Sequence, residues 1–361
     1  MRMLVVLNEN PVGSHADVRR GLLTLKSRSH LDEYVIYPFS ARLSSGTSPA
    51  AIEEEIIAAA ADLEATAVLW CHTQGLDVAT ATFSRVRSLP SRPVHGYWEG
   101  DMYQWPYKPF PPAARRVACA CDVVFIPGSS SFLLGLRRSG CGDVRYAPLP
   151  ADPDRFGHSA HLRQTESEFD VVFVGSNPTS RIPLKTMPGA RWRGQLVAML
   201  EGKLGRRFAV YGHGWRGPCA HGPVPKEGQA EVFARSRATI GNNNLHAAYY
   251  FSDRLPTAMS CGAVTLHSWE PGFDQVFGHD APLRFFCSTE GAWEAVRRVL
   301  ETDDADLEKE RLRARDLALA RFTISHVQDY IVEVMRELWQ ARRTGVSPRV
   351  VLNPWLHREQ L

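Results

Sequence analysis

The sequence predicts two α/β domains in tandem, each built on a parallel β-sheet with helices on its faces. Short apolar runs, typical of buried strands, alternate with helical segments in both halves of the chain. A segment with three prolines, 147–153, interrupts this alternation. The length of 361 residues also exceeds what a single hydrophobic core usually supports.

The first half shows a regular series of strands and helices. Its first strand is the apolar run Met3–Leu7, which stops at the polar residues and proline of 8–11. The same pattern predicts strands over Tyr34–Ile36, Ala67–Trp70, Val94–Tyr97 and Val123–Ile126, and helices over Asp17–Ser27, Ala50–Leu63 and Asp77–Ser88. Such βα units indicate a doubly wound parallel sheet.

The second half repeats the alternation, with predicted strands at Asp170–Val174, Phe208–Tyr211, Ala238–Ile240 and Ala263–Leu266. We therefore predict Rossmann-like domains over residues 1–150 and 168–325, joined by a linker over 151–167. The remaining residues, 326–361, hold most of a final helix, Ser325–Ala341, and a tail. That helix has apolar residues on one face, so it is expected to cross back to the first domain.

The composition excludes several classes of protein. With 44% hydrophobic and 22% charged residues, the chain has the profile of a folded enzyme. Its 42 basic and 39 acidic residues are interspersed, which argues against a nucleic-acid partner. Seven scattered cysteines favour reduced thiols over disulfides or a zinc site. No apolar stretch approaches the length of a membrane span or a secretory signal, so we expect a cytoplasmic protein without an integral membrane segment.

Polar and glycine-rich loops follow successive strands of the second half. In open parallel sheets, ligands bind outside the carboxyl ends of the strands, and glycine lets the backbone approach a phosphate closely. These glycines recur in one half only, which predicts that the second domain binds a nucleotide. The loops are Gly175-Ser176-Asn177, Gly212-His213-Gly214, Gly241-Asn242-Asn243-Asn244, Tyr250 to Arg254 and Cys261-Gly262-Ala263.

One of these segments resembles a known family signature. The stretch Ser252–Ala263 (SDRLPTAMSCGA) is similar to the S-x-R-x-x-E-x-x-A-C-G-A signature of GT-B fold glycosyltransferases of the group 1/family 4 type, especially those related to the CgeB spore-maturation proteins. The segments Val172–Ser176 and Phe322–His326 match the same group in position. The similarity extends over roughly residues 168 to 335 and is only architectural before them.

The resemblance implies a nucleotide-sugar donor and a hexosyltransferase-like activity. It implies that Arg254 approaches the donor phosphates, that Gly175 and Gly212 face the nucleotide, and that Gly262 permits tight helix packing. Arg193 is a second phosphate candidate, because a guanidinium matches phosphate oxygens. The predicted donor-binding residues are Gly175, Ser176, Arg193, Gly212, His213, Asn243, Asn244, Tyr250, Ser252, Arg254 and Thr257.

The sequence departs from the family signature at two positions. Thr257 stands where the family has a glutamate that would hold the ribose, and Tyr249 stands where the retaining enzymes have the first acid of an E-x7-E pair. The identity of the donor and the stereochemical outcome are therefore not carried over from that motif.

The catalytic candidates lie in the first half. Glu99 and Asp101 follow a strand among four aromatic residues, and His72 follows another. A carboxylate or imidazole can deprotonate a hydroxyl, and aromatic faces stack on sugar rings. For an inverting mechanism we rank Asp101 first as the base, then Glu99 or His72. The alternative for Trp98 and Trp105 is ordinary core packing.

These observations predict a glycosyltransferase that moves a sugar from a nucleotide-sugar donor to an acceptor that is a polysaccharide, a natural product or a protein. No metal or other cofactor is expected, because Arg193, Arg254 and helix N-termini can neutralise the leaving diphosphate. A nucleotide-sugar epimerase and a non-catalytic nucleotide-sugar-binding protein are the alternatives. For Arg254 itself, the alternative is a surface ion pair with Asp253 or Glu270.

Overall fold

The computed structural model describes residues 1–156, 167–178 and 185–361. Most of the predicted linker, 157–166, lies outside the described residues. The chain divides into two compact units. Unit 1 comprises Met1–Trp105, Pro109–Pro148 and Ile324–Leu361, and unit 2 comprises Pro106–Lys108 and Leu149–Thr323.

Unit 1 is built on a parallel sheet of six strands in the order β2-β1-β3-β4-β5-β6. The register pairs Leu7 with Cys71 and Cys71 with Trp98, so β1, β3 and β4 end side by side. The loops that begin after these residues therefore share one edge of the sheet. The strands are β1 (Arg2–Leu7), β2 (Glu33–Pro38), β3 (Ala67–Cys71), β4 (Val94–Trp98), β5 (Val123–Ile126) and β6 (Val144–Tyr146).

Helices connect these strands in the predicted alternation. Ser48 caps one of them by accepting a hydrogen bond from Ala51 N, and Pro49 supplies a preset φ at its start. The predicted helix over Asp77–Ser88 begins later, at Thr80, after an extended backbone at Ala79. The helices are α1 (Ala16–Ser27), α2 (Phe39–Ser44), α3 (Pro49–Asp62), α4 (Thr80–Arg87), α5 (Pro112–Ala120) and α6 (Ser131–Arg138).

Unit 2 is built on a second parallel sheet, of five strands in the order β11-β10-β9-β7-β8. Val174 pairs with Tyr211 and Gly241 with His267, so the glycine-rich loops again begin along one edge. The strands are β7 (Phe169–Val174), β8 (Phe208–Tyr211), β9 (Ser236–Gly241), β10 (Thr265–Ser268) and β11 (Arg284–Phe286).

The helices of unit 2 flank this sheet. Two of them have side-chain caps: Ser288 accepts a hydrogen bond from Gly291 N, and Asp303 accepts one from Asp306 N. The helices are α7 (Pro153–Phe156), α8 (Pro188–Leu204), α9 (Gln229–Ala234), α10 (Arg254–Ser260), α11 (Phe273–Phe277), α12 (Thr289–Glu301) and α13 (Asp304–Arg321).

The final helix, α14 (Ile324–Thr344), belongs to unit 1 and packs on α1, β3 and β4. The Gln328 amide donates to Val18 O at 3.1 Å, and the Arg342 guanidinium lies 2.7 Å from the Asp122 carboxylate. The predicted return of the last helix to the first domain is confirmed. In the part of the chain that is described, no helix combines the length and apolarity needed to cross a membrane.

The tail after α14 covers the edge of β6. Leu361 N donates to Val144 O at 3.0 Å, and the Asn353 amide donates to Tyr146 O at 2.6 Å. Trp355 is buried against the rings of Tyr146 and Tyr330. An uncovered edge strand exposes unpaired backbone groups to other chains, so the tail protects this sheet.

Candidate functional site

In unit 2, the loops after β7 and β8 are joined at the carboxyl edge of the sheet. Gly175 N donates to Tyr211 O at 2.8 Å, and Asn177 N donates to His213 O at 2.8 Å. The Trp215 indole donates to Gly175 O at 2.6 Å. The sequence placed these loops on one edge, and the backbone contacts confirm that they touch.

Arg254 places a cation at this edge. It is half-buried at the start of α10 and lines a small cavity together with Asn242, Ser252 and His267. Among the residues that the structure describes, its guanidinium has no hydrogen-bond or ion-pair partner. Glu270, a possible surface partner, is instead 2.9 Å from His246 Nδ1. A partly desolvated guanidinium without a partner is suited to an anionic ligand.

Arg193 lies behind this cavity and is almost fully buried, at 1% exposure. Its nitrogens donate to Ser176 O at 2.7 Å, to Asn242 Oδ1 at 2.9 Å and to Asn242 O at 2.9 Å. These bonds fix the loops after β7 and β9. The predicted direct contact between Arg193 and a phosphate is therefore wrong, because the guanidinium is enclosed and turned toward backbone carbonyls. Arg193 is a positioning residue.

The groups around Arg193 make this edge electropositive. Burial, followed by the nearby Arg254 charge, lowers the pKa of Arg193 to about 9. His267 is fully buried, and burial lowers its pKa to about 4, with Arg254 and Arg193 acting in the same direction. His267 is therefore neutral near pH 7. A bound anion would relieve the repulsion between the two guanidinium groups.

The structure gives Gly212 and Gly262 roles that differ from the predicted ones. Gly212 has φ +148°, and a Cβ there would lie 2.3 Å from Gly175 O. Its missing side chain therefore allows the two loops to pack, rather than opening space for a nucleotide. Gly262 has φ +70° and only the Arg315 side chain at 4.0 Å, so it permits the left-handed turn after α10 instead of tight packing.

The side chains of the asparagines after β9 differ in their hydrogen-bond partners. Asn243 is buried; its Oδ1 accepts from Ser252 N at 3.2 Å and its Nδ2 donates to Tyr250 O at 2.8 Å. It therefore joins two donor-site segments and does not face a ligand. The Asn244 side-chain oxygen is buried without a partner among the described residues, so it retains an acceptor.

The other predicted donor residues differ in exposure. Ser252 and Thr257 are buried, whereas Ser176 and Tyr250 are partly exposed and His213 is exposed. Only the last three side chains have substantial surface for contact with a nucleotide.

The sequence reasoning missed Gly189, and it named Glu270 only as a possible surface partner of Arg254. Gly189 of α8 packs against the loop after β9, where a Cβ would lie 1.9 Å from Asn243 O. Glu270, buried after β10, pairs with His246 and lies 3.5 Å from the Asn243 amide. The rule that ligand residues follow parallel strands could have drawn attention to Glu270.

In unit 1, the structure pairs two of the three predicted catalytic residues. His72 follows β3 in a left-handed backbone conformation, with φ +51°. Its Nδ1 is 2.6 Å from Glu99 Oε1, and Gly100 N donates to its Nε2 at 3.2 Å. This geometry fits a neutral imidazole with its proton on Nδ1. A positive φ at a non-glycine residue is costly and is concentrated at functional sites.

Glu99 is a fully enclosed carboxylate. It accepts hydrogen bonds from Tyr97 Oη at 2.8 Å and from Asp101 N at 3.0 Å, besides its contact with His72. Because it is 0% exposed, the predicted role of Glu99 as a base in contact with substrate is wrong. It can instead orient His72 and stabilise its protonated form. Asp101 remains partly exposed next to this pair.

The aromatic residues around Glu99 and Asp101 divide into two groups. Tyr97, Trp98 and Tyr103 are buried, so core packing explains most of the cluster. Trp105 is 75% exposed. Of the two tryptophans, only Trp105 is placed to stack on a ligand.

Comparison with known proteins gives a family match for part of the chain. Residues 192–333 match the family described as glycosyl transferase-like. This segment contains Arg193 and Arg254 and ends within α14. No curated protein matches the sequence.

Solved structures similar to the chain include three with related architecture. Sucrose-phosphate synthase from Thermosynechococcus elongatus has a TM-score of 0.60 at 14% identity, covering 94% of this chain and 100% of its own. The trehalose-6-phosphate synthase of Burkholderia multivorans has a TM-score of 0.61 at 10% identity, with 95% and 99% covered. HepE of Anabaena, in complex with UDP-glucose, has a TM-score of 0.58 at 12% identity, with 93% and 99% covered.

These similarities confirm the fold predicted from the sequence. At such identities they establish the architecture alone, two parallel-sheet α/β domains in tandem. The chain therefore has the GT-B fold, and its segment 192–333 is similar to the family described as glycosyl transferase-like.

Proposed function

We propose that this protein is a glycosyltransferase that moves a sugar from a nucleotide-sugar donor onto an acceptor hydroxyl, and that it belongs to the CgeB-related group. The observation that carries the proposal is the half-buried guanidinium of Arg254 at the carboxyl edge of the unit 2 sheet, which has no partner among the described residues. The diphosphate of the donor would be its ligand. The match of residues 192–333 to a glycosyl transferase-like family supports the assignment.

The donor is proposed to be a UDP-hexose. HepE of Anabaena, which shares the fold, is described in complex with UDP-glucose. In the present chain, Arg254 would contact the diphosphate, and the partly exposed side chains of Ser176 and Tyr250 would face the donor. Arg193 would act indirectly, by holding the loops that carry Ser176 and Asn242.

His72 is the best-supported base for an inverting reaction. The acceptor hydroxyl would displace the Gly100 N–H from His72 Nε2 and give its proton to that nitrogen. The hydroxyl oxygen would form a bond to the anomeric carbon as the bond from that carbon to the diphosphate breaks. Glu99, 2.6 Å from Nδ1, would stabilise the resulting imidazolium. Asp101 is the alternative base, because it is partly exposed beside the pair.

We also propose that the reaction requires no metal ion. Arg254, with the buried Arg193 behind it, can stabilise the negative charge that develops on the leaving diphosphate. Transfer should then persist in excess EDTA. Loss of transfer in EDTA and its recovery with Mg²⁺ or Mn²⁺ would reject metal independence but not the proposed transfer.

The phosphate role of Arg254 can be tested with UDP and uridine. Arg254→Ala should weaken UDP binding about 30-fold or more, because a charge-assisted hydrogen bond contributes roughly 2 kcal/mol, and should leave uridine binding nearly unchanged. Isothermal titration calorimetry measures both affinities. Arg298→Ala is the matched control, since Arg298 is an exposed arginine of α12 in the same unit.

The outcomes separate the proposed function from its alternatives. Equal losses for UDP and uridine would reject the phosphate role of Arg254. Release of an epimerised free nucleotide sugar, without transfer to any acceptor, would favour an epimerase. Tight donor binding without turnover across an acceptor panel would indicate a binding protein. Thermal-shift screening against UDP, GDP, dTDP and CDP sugars would first identify the donor.

A further inference from the structure

Unit 1 contains a cavity of about 280 Å³ that the donor site does not involve. It lies between the loop after β4 and the helices α5 and α6, and its walls include Tyr103, Trp105, Phe110 and Phe132. The volume is near the lower end of the range of about 300–1,000 Å³ typical of small-molecule sites. It therefore suits one or two fused rings better than an oligosaccharide chain.

Aromatic rings form the body of this cavity. The ring centroids of Phe110 and Phe132 are 4.8 Å apart, and that of Tyr103 is 4.9 Å from Phe110 and 5.1 Å from Phe132. Trp105 adds a fourth, exposed ring at the rim. A sugar needs a hydrogen-bond partner for most of its hydroxyls, whereas the non-aromatic polar side chains of this lining are those of Gln104, Arg115 and Ser131. A flat aromatic ligand fits the lining better.

One cation borders the cavity. Arg115 of α5 is exposed, and its guanidinium has no hydrogen-bond or ion-pair partner in the described part of the chain. The adjacent Arg116 differs, because its guanidinium binds the Asp77 carboxylate at 2.5 Å. Arg115 is therefore available to an anionic group on a ligand whose ring occupies the cavity.

The cavity adjoins the catalytic pair of unit 1 through its aromatic walls. The ring of Tyr103 lines the cavity, and its hydroxyl accepts a hydrogen bond from the Gln74 amide. The Phe110 ring, another wall of the cavity, packs on Tyr97 with ring centroids 6.2 Å apart, and Tyr97 Oη donates to Glu99 at 2.8 Å. The rings of Phe110 and Tyr97 therefore link the cavity to the Glu99–His72 pair.

We propose that this cavity binds a hydroxylated planar aromatic carboxylate, with the ring against Tyr103, Phe110 and Phe132 and the carboxylate at Arg115. In the reaction this ligand is the acceptor, and that part of the inference rests on the proposed function. The binding site itself does not depend on transfer, so the two can be tested separately.

The test uses 6-hydroxy-2-naphthoate and its neutral analogue 6-hydroxy-2-naphthamide, titrated calorimetrically into the full chain without donor. The naphthoate should bind more tightly than the amide. Gly135→Leu should reduce naphthoate affinity at least tenfold, because Gly135 lines the cavity and a Cβ there meets no atom within 4 Å. The added side chain would fill the cavity, and replacing a helix glycine should not weaken α6.

Arg115→Gln tests the charge contact. It should weaken naphthoate binding about fivefold and leave naphthamide binding unchanged, in line with the roughly 1 kcal/mol of a solvent-exposed ion pair. Arg116→Gln is the matched control for this variant. Gly202→Leu is the control for Gly135→Leu, because Gly202 is also a helix glycine with open space around a Cβ.

The proposal is overturned if naphthoate does not bind, if Gly135→Leu binds it as well as the original chain, or if Arg115→Gln weakens both ligands equally. UDP titrations of the same variants monitor unit 2 and the fold. If naphthoate binds as expected but no transfer to it occurs with any donor, the acceptor role fails and the binding site stands. If the chain binds UDP and transfers sugar to another acceptor but does not bind naphthoate, the proposed function stands and this inference is wrong.

Discussion

The carboxyl edges of the two sheets are both formed by the ends of parallel strands, but their charged groups differ. In unit 1, the loops after β3 and β4 bring His72 to 2.6 Å from the buried carboxylate of Glu99. In unit 2, the corresponding edge has the guanidinium groups of Arg193 and Arg254 close enough for one to lower the pKa of the other. One edge can accept and hold a proton, and the other can hold an anion.

This difference shows how one type of edge can serve two tasks. Parallel sheets align the ends of their strands, so any polar residue placed there faces the same region. Whether that residue performs chemistry or binding depends on its partner. His72 has a carboxylate partner, whereas Arg254 has neither a carboxylate nor a hydrogen-bond acceptor among the described residues.

The largest effect that separates the two edges is expected from His72→Asn in unit 1. Asparagine tolerates the left-handed backbone at this position but cannot act as the base. The value of kcat for transfer should fall about 10²–10⁴-fold, as expected for loss of a general base, with UDP affinity unchanged. Steady-state kinetics and calorimetric titration with UDP measure the two effects.

His30→Asn is the control for this variant, because His30 precedes β2 and its partner is Asp329. Asp101→Asn should lower kcat much less than His72→Asn. If Asp101→Asn produced the larger loss, with the fold and donor binding retained, Asp101 would be the base and His72 would not.

Arg193→Met probes the unit 2 edge in a different way. The substitution leaves Ser176 O and two oxygens of Asn242 without their donors, so the free energy of unfolding should fall by about 2–4 kcal/mol. Chemical denaturation measures this change. Arg191→Met, an exposed position on the same helix, should have little effect. A variant as stable as the original chain would contradict the positioning role.

A smaller effect is expected from the His246–Glu270 pair. The Glu270 hydrogen bond and charge raise the pKa of His246 above 6.5. The pair therefore stabilises the fold fully below pH 6.5, and this contribution is lost as pH rises through the raised pKa. Because the His246 side chain is 44% exposed, solvent screens the pair, and the effect of His246→Gln should be only about 0.5 kcal/mol at low pH.

Thermal unfolding at pH 5.5 and pH 8.5 measures this difference. The gap in Tm between His246→Gln and the original chain should be larger at pH 5.5. His279→Gln, at another histidine of unit 2, serves as the control. A gap that grows with pH would show that the sign of the coupling is wrong.

Much of the architecture could be predicted from the alternation of apolar strands and helices. The strands predicted in both halves appear, and the final helix returns to unit 1. The helices α5 and α6, of 9 and 8 residues, were not predicted from the sequence. The aromatic cavity that these helices border was therefore missed as well.

For the candidate site, the positions of the residues were predicted but their burial and pairing were not. The order of strands and loops was enough to place His72, Glu99 and Arg254 at the carboxyl edges of sheets. It could not show that Glu99 is enclosed or that Arg193 is turned toward carbonyl groups, because burial and pairing depend on residues far away in sequence. Arg193, for example, is held by Asn242, 49 positions later.

By itself, the sequence determined the two-domain α/β organisation and the edge on which each polar loop lies, since both follow from local periodicity and from the geometry of parallel strands. Only the tertiary structure decided which charges are paired, which are buried and which remain open to a ligand. Those properties depend on desolvation and on contacts between segments distant in the chain, and local patterns do not encode them.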